Sequence, residues 1–392
     1  MDEKNKKIEK LLTRAVDEII VRESLIERLN SNKSLTVKLG IDPTGSELHL
    51  GHSVVLRKLR EFQDLGHKVA LVIGDFTAKI GDPSGRTQER KHLTDKQIKE
   101  NMKSYKQHAG KILDLENTQF KYNSSWLGKL GLKGILELAS KVTLAQIMER
   151  KELRGRIETK EDVPYLETLY PLMQGYDSVE LGADVELGGT DQKFNLLMGR
   201  QIQKRYGQTE QDIVILKLLP GTDGAKMSKS ANNFISLTSN HHDMYGKIMS
   251  ISDELIPVYT ELCTDLDVGK LSDSDNKFDQ KKALAREIVR IYHGEESSIK
   301  AEENFRKVFQ EGKYEENLLI ENTLQEDKYK PTEIATASGA TTSTVQAKEL
   351  IRQGAVVIDG KTLKPSDWSE PIDLKAGTLI QIGKRRIVKV VK

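Results

Sequence analysis

The sequence holds a single cysteine, Cys263, and two tryptophans among 392 residues. One thiol excludes an internal disulfide and any cysteine-based metal cluster. Within "VYTELCTDLD" it reads as a small, packed apolar residue. Aromatic side chains make up 5% of the chain. No apolar run approaches the roughly 18 uncharged residues of a membrane-spanning helix. The opening "MDEKNKKIEK" carries charge with no apolar stretch behind it, so no secretory leader is expected and the expected compartment is the reducing cytoplasm. Two glycine patterns of phosphate binding are missing as well. "GIDPTGSE" supplies Gly40 and Gly45, but Ser46 and Glu47 stand where a Walker loop needs Lys and Ser or Thr. No G-x-G-x-x-G follows a strand either.

What is present is charge: 31% of residues are charged against 37% in the hydrophobic set, the balance of a globular protein with a well-solvated surface. The length is too great for one ordinary core and implies two or three domains. The net charge of +2 is unevenly spread. From Pro331 onward there are ten Lys or Arg against six Asp or Glu, and the preceding chain is slightly acidic. A basic C-terminal module on a near-neutral body suits a polyanionic partner.

The hydrophobic periods organise the chain. Residues 5–30 place Ile8, Leu11, Leu12, Ala15, Val16 and Ile19 at helical spacing, which predicts one helix. "LTVKLGID" reads as a strand, "HLGHSVVLRKLREFQDLG" as a helix stopped at Gly66, and "KVALVIGDF" as a second buried strand before the loop "KIGDPSGR". Helices over about 94–113 and 132–150 follow, then the helix "YLETLYPLMQGYDSVELG", the strand "ADVELGG", the helix "QKFNLLMGRQIQKRYG" and the strand "DIVILKLLP". Strand–helix alternation implies a doubly wound, Rossmann-like α/β fold with a parallel sheet. Residues 240–325 are helical in pattern, "NTLQEDKYKPTE" reads as a polar linker, and the tail from about 333 mixes two short helices with β-rich segments. The expected division is a catalytic domain over 1–222 with a helical insertion at about 115–165, a loop at 223–240, a helical domain over 241–325 and a small α+β domain over 331–392. No internal repeat is visible.

Two motifs carry chemistry. "LHLGH" sets His49 and His52 three apart around Gly51, at the start of a helix that follows a strand and a Pro/Gly turn. That geometry aims backbone N–H groups and a helix dipole at an anion. The same spacing suits a metal pair, for which Glu47 or Asp42 would be the further ligands, or an incidental pair. Far downstream, "GAKMSKS" puts Lys226 and Lys229 three apart in a Gly/Ser-rich loop straight after a buried strand. A flexible basic loop at the carboxyl end of a strand closes naturally over a polyphosphate, and the two features together favour phosphate donors.

At these residues the sequence resembles the class I aminoacyl-tRNA synthetases. "LHLGH" is similar to their HIGH motif and "KMSKS" matches their second signature. "YPLMQGYDSVELGADVELGGTDQKFNLL" and "IGDPSGR" resemble the tyrosine-specific family, and the tail resembles the RNA-binding fold of the ribosomal S-four type. The resemblance spans essentially the whole chain. It implies activation of tyrosine by ATP to tyrosyl-adenylate and pyrophosphate, then transfer to tRNA(Tyr), in a homodimer. The apolar "GLKGILELASKVTLAQIM" is either its interface or core. Mg²⁺ is expected to arrive with ATP, with no metal site of the protein's own.

The resemblance also assigns roles. Thr44, His49 and His52 contact the phosphates from one side, and Lys226, Lys229, Arg86 and Arg90 close from the other. The rest of the "KMSKS" loop, Met227, Ser228 and Ser230, joins the ATP site. Adenosine rests on Gly51, with Asp191 or the Gly188–Gly189 backbone at the ribose. Asp42 sits near both the α-amino group and ATP, beside Gly40 in the tyrosine pocket. Asp82, Tyr170 and Gln174 hold the ammonium, Gln192 the substrate backbone and Asp177 the phenol hydroxyl. A buried acceptor aimed at that hydroxyl rejects phenylalanine because it would be left unpaired. One position departs from the pattern: many family members carry a tyrosine four residues before the motif aspartate, and here that position is Lys38. In the tail, Lys348, Arg352, Lys361, Lys384, Arg385 and Arg386 are the expected tRNA phosphate contacts, and the 241–325 segment is expected to read the anticodon region.

Overall fold

Runs of β-branched residues with both faces covered build the main sheet. β2 (Thr36–Ile41), β3 (Lys68–Ile73), β5 (Val185–Gly189) and β6 (Asp212–Leu216) are buried along nearly their whole length. This is the signature of parallel strands sandwiched between helices. The computed structural model describes residues 3–31, 33–84, 93–227, 233–272, 274–309, 320–325, 327–338, 341, 343–367, 370–383 and 386–391. They fall into two compact units, Met1–Ser239 with Ser250–Tyr292, and Asn240–Met249 with His293–Lys392.

In the first unit the six-stranded sheet runs β1-β6-β5-β2-β3-β4, where β1 is Val16–Ile20 and β4 is Thr118–Tyr122. Pairing from β6 through to β4 is parallel, and β1 closes the edge antiparallel to β6. The single helix expected over residues 5–30 is therefore corrected to α1 (Glu3–Thr13), β1 and α2 (Arg22–Asn30). The chain turns at Ala15 (φ 60°) and Val21 (φ 62°), and "VDEII" finds backbone partners on β6. Long-range strand pairing outweighs the local helical period here.

α3 (Leu50–Asp64) follows β2 and buries Leu50, Val54, Leu56, Leu59 and Phe62. The helix expected over 94–113 is two short ones, α4 (Asp95–Met102), begun by a Thr94 capping box, and α5 (Tyr105–Ala109). Beyond β4 come α6 (Ser124–Leu127), α7 (Gly131–Ser140), α8 (Leu144–Ile147) and α9 (Lys151–Glu158), so the stretch 132–150 is also interrupted, with Thr143 capping α8. α10 (Tyr165–Leu181) and α11 (Lys193–Arg205) pack together at Gly175 and Gly199, where a Cβ on Gly175 would come within 3.1 Å of the Gly199 Cα. α12 (His241–Met249) belongs to the second unit. α13 (Ile256–Cys263), α14 (Val268–Ser272) and α15 (Lys277–His293) follow. Arg14 ties this stretch to the α1 end, donating to the carbonyls of Thr260 and Leu266 at 2.9 Å each.

In the second unit α12 meets α16 (Glu295–Phe309), with the Tyr245 and Phe305 rings 5.5 Å apart. β7 (Ile320–Gln325) and β8 (Asp327–Tyr329) replace the linker expected at "NTLQEDKYKPTE". The strands β9 (Val356–Ile358), β10 (Lys361–Thr362), β11 (Ile372–Leu374), β12 (Leu379–Ile382) and β13 (Arg386–Val391) complete two sheets, β10-β9-β12-β13-β7 and β11-β8. The linker residues pair with β13 and β11, and of them Leu324 enters a core with Ile334, Ile351, Val356 and Val388. Gln325, Asp327 and Lys328 are exposed, as their polarity asks. α17 (Pro331–Ala337) and α18 (Thr344–Arg352) accompany the sheets, as the short helices of the tail lead one to expect.

Candidate active site

The carboxyl ends of β2, β3 and β5 open into a cleft of about 790 Å³ in the first unit. β2 lies between β5 and β3, so the cleft sits where the order of the sheet reverses, the place where open α/β sheets bind ligands.

On one side stand Thr44, His49, Gly51 and His52. His49 is the N-cap of α3, and the two histidines form a reciprocal cap. His49 Nδ1 accepts from the Gly51 N–H at 3.1 Å, and His52 Nδ1 accepts from the His49 N–H at 3.2 Å. A neutral imidazole that accepts at Nδ1 carries its proton on Nε2, so both rings are donors at Nε2. The two Nδ1 lone pairs face backbone, which leaves them unsuited to a metal, and no group of three His, Cys, Asp or Glu among the described residues is placed to hold one. Gly51 has a second reason to be glycine: a Cβ there would lie 2.9 Å from His49 Cε1 and 3.3 Å from Met227 Sδ.

Lys226 and Met227 line the same cleft, with Met227 beside Gly51. The chain beyond the loop returns to the histidine motif, where His49 and Ser236 form an antiparallel bridge, Leu50 N–H donates to Ile235 O and Leu237 N–H donates to Leu48 O. Asn233 clamps the loop base, bonding Asp223 Oδ1 at 2.8 Å and Lys226 O at 3.2 Å. Both ends of the basic loop are thus anchored at the cleft. Gly188, Gly189 and Asp191 form a third wall, where burial and then the nearby Asp82 charge raise the Asp191 carboxyl above its ordinary range.

Deeper in the cleft, Asp42 is clasped by Thr77 Oγ1 at 2.8 Å and by the Tyr170 hydroxyl at 3.1 Å. This requires Gly74, since a Cβ there would sit 1.9 Å from Asp42 Oδ1. Asp82 accepts from Gln192 Nε2 at 2.7 Å and faces the buried Arg150 guanidinium at 3.4 Å. Asn195 joins this group to Gln174, donating to Gln174 Oε1 at 2.9 Å and accepting from Arg150 Nη1 at 2.8 Å. Gly40, Asp42, Asp82, Tyr170, Gln174 and Gln192 therefore surround one polar hollow.

Asp177 closes the far end, buried on α10. Its Oδ1 accepts from Trp126 Nε1 at 2.8 Å and its Oδ2 from Asn123 Nδ2 at 3.3 Å. Burial pushes its carboxyl up to about 6, against the opposing pull of the Lys38 charge and of these two donors. Lys38 is buried beneath α10, where its Nζ binds Glu186 Oε1 at 2.9 Å.

Of the expected site residues, Arg86, Arg90, Ser228, Lys229 and Ser230 lie outside the described residues, as do Lys384 and Arg385. The others assigned to tyrosine and ATP meet on this one cleft. In the second unit Lys348, Arg352 and Lys361 are exposed on α18 and β10, with Arg352 paired to Glu349 at 2.7 Å, and Arg386 begins β13. Sequence reasoning passed over Thr77, Asn123, Trp126, Arg150 and Asn195, whose roles rest on contacts with residues far away in the chain.

Residues 30–310 match the model of the class I tRNA synthetases (W and Y). The tyrosine–tRNA ligase of Moorella thermoacetica is 44% identical over 97% of this chain and 95% of its own length. That of Thermotoga maritima is 43% identical over 97% and 96%. In fold, the chain is similar to a C-terminally truncated mitochondrial tyrosyl-tRNA synthetase of Aspergillus nidulans, with TM-score 0.66 and 22% identity over 79% of this chain and 95% of that one. With the signature histidines capping α3 at the switch point of the sheet, this chain belongs to the class I tRNA synthetases of the tryptophan and tyrosine family.

Proposed function

We propose that the cleft joins L-tyrosine to ATP, forming tyrosyl-adenylate and pyrophosphate, and then transfers tyrosine to the 3′ end of tRNA(Tyr). The observation that carries this reading is Asp177, a buried carboxylate at the closed end of the cleft with Trp126 and Asn123 oriented on it. A phenol hydroxyl donating to it completes its shell, whereas the ring of phenylalanine brings no donor and leaves the buried acceptor unpaired. The relatives at 43–44% identity are tyrosine–tRNA ligases, which supports the same choice.

The tyrosine carboxylate is itself the nucleophile of the first step, so no protein nucleophile or general base is needed. It attacks the α-phosphorus, the bond to the bridging β-phosphate oxygen breaks, and pyrophosphate leaves with the electron pair. Rate comes from alignment and from donors placed where charge grows. Asp82, Tyr170 and Gln174 hold the ammonium, Gln192 the backbone, and Asp42 lies between amino acid and nucleotide. Thr44 and the Nε2–H groups of His49 and His52 meet the phosphates from the α3 side. Lys226 and Lys229, with Arg86 and Arg90, approach from the other, while Met227, Ser228 and Ser230 follow the loop. Adenosine lies over Gly51 with its ribose toward Gly188, Gly189 and Asp191. Mg²⁺ accompanies the triphosphate, held by phosphate oxygens and water.

The segment 241–325 is read as meeting the anticodon region, and the tail, of ribosomal S-four type, as following the phosphate backbone of the tRNA through Lys348, Arg352, Lys361, Lys384, Arg385 and Arg386. A homodimer is the proposed assembly: Leu132, Leu136, Leu144 and Tyr165 are all at least 60% exposed, an apolar face suited to a second copy. No described helix is long and apolar enough to cross a membrane, and the proposed site of action is the cytoplasm. Pyrophosphate exchange measured with each amino acid tests the reading. Tyrosine is expected to support exchange, and exchange with tryptophan but not tyrosine would overturn it.

A further inference from the structure

We propose that Lys38 and Glu186, side chains from neighbouring strands that meet beneath α10, are a positioning pair for tyrosine selection. The pair fixes the turn of α10 that carries Gln174 and Asp177 and supplies the positive charge facing Asp177. The inference rests on the tyrosine-activating reading above and deepens it.

The two residues are direct cross-strand partners, Lys38 on β2 opposite Glu186 on β5. Both are fully buried, at 0% and 1% side-chain exposure, and Lys38 Nζ lies 2.9 Å from Glu186 Oε1. The ammonium has three hydrogens, and three acceptors surround it: Glu186, the Gln174 carbonyl at 2.9 Å and Ser178 Oγ at 2.8 Å. Lys38 therefore has no donor left for a substrate, and its work is to hold α10. Glu186 continues the task, accepting from Gln174 Nε2 at 3.3 Å, from Ser178 Oγ at 3.1 Å and from Gln211 Nε2. Gln174 is thus gripped at its backbone by one member of the pair and at its side chain by the other.

The charges decide the second half of the role. Facing Asp177 are Lys38 from β2 and Glu186 from β5, with the neutral donors Trp126 and Asn123 on the α6 side. With Lys38 present, one cation offsets two carboxylates. Without it, burial and the Glu186 charge are left to push Asp177 further toward its protonated form. A protonated Asp177 is a weaker acceptor for the phenol hydroxyl than the carboxylate, and phenylalanine is rejected less strongly.

The test is pyrophosphate exchange with tyrosine and with phenylalanine, per active site titrated, for the wild type, Lys38→Met and the charge-neutral Lys38→Met/Glu186→Gln. Counting active sites removes misfolded molecules from the comparison, and the neutral double variant avoids leaving a lone buried charge. The expected result is a ten-fold or greater fall in the tyrosine-over-phenylalanine ratio of kcat/KM in both variants. In Lys38→Met this fall should come mainly from a higher tyrosine KM, and the ratio should recover between pH 7 and pH 9, where the wild type is flat. An unchanged ratio per active site, or equal losses for both amino acids at every pH, would overturn the inference and leave the pair a purely structural one. A wild type that fails to exchange with tyrosine would instead sink the functional reading, and this inference with it.

Discussion

The indole N–H of Trp126 donates to Asp177 Oδ1 at 2.8 Å, so a side chain on a four-residue helix orients the carboxylate at the closed end of the cleft. That carboxylate is expensive to keep. Its folded-state value of about 6 lies above the ordinary 3.8, so the folded protein holds a proton there that the unfolded chain has released. Stability from this group is complete below the ordinary value and is lost as pH rises through about 6. Asp177→Asn is therefore expected to raise the thermal midpoint at pH 7–8, by an amount equivalent to about 2–3 kcal/mol at most, while abolishing tyrosine selection. Thermal melts across pH 4–8 check this: the gain should shrink toward pH 4.

His49 carries two tasks that substitution can separate. As N-cap of α3 it accepts from Gly51 N–H, and its ring lines the cleft, where the proposed reaction gives its Nε2–H to the phosphates. His49→Ala should cost about 1 kcal/mol of stability and also slow adenylate formation. His49→Asn keeps a capping oxygen and a side-chain donor, so its melting temperature should match the wild type and its exchange rate should exceed that of His49→Ala.

Gly74 tests the placement of Asp42. A methyl group there lies 1.9 Å from Asp42 Oδ1 and 2.4 Å from Thr77 Oγ1, and it must push the carboxylate out of its clasp. For Gly74→Ala the expected loss in adenylate formation is about 100-fold, the scale of an ångström-sized misplacement near reacting groups. Far-ultraviolet circular dichroism should stay unchanged, and single-turnover kinetics would show the loss.

His242 gives the second unit an acid-sensitive point. Both ring nitrogens are buried without a hydrogen-bond partner, and burial, reinforced by the His241 charge, lowers its value from 6.5 to about 4. The unfolded chain binds the proton first on acidification. The neutral ring's contribution is whole above 6.5 and is lost as pH falls toward about 4. His242→Leu should flatten the pH dependence of unfolding in that window, measured by thermal melts of the full chain.

The contrast between what sequence reading reached and what it missed has a physical cause. The parallel core was legible because β3 and β6 are buried almost throughout and read as apolar runs, and β2 and β5 keep a buried apolar pattern around Lys38 and Glu186. The edge strand β1 and the strand β7 were not, since half-solvated edges leave a weak local pattern and are decided by partners far along the chain. In the site, the two signature motifs and the helix spacing of Tyr170, Gln174 and Asp177 announced themselves locally. The Asp82–Arg150–Asn195 group did not: its members come from a loop, the start of α9 and α11, brought together only by folding. Lys38 was visible as a departure, but its role needed the opposite strand, where Glu186 stands at the same register.

Trapping the intermediate tests the central claim most directly. The protein is mixed with ATP and tyrosine without tRNA, passed through a desalting column, and assayed for bound adenylate before and after tRNA(Tyr) is added. Tyrosyl-adenylate should travel with the protein and be chased onto the tRNA as its ester. Recovery of no adenylate, or of one formed from tryptophan in preference to tyrosine, would contradict the account.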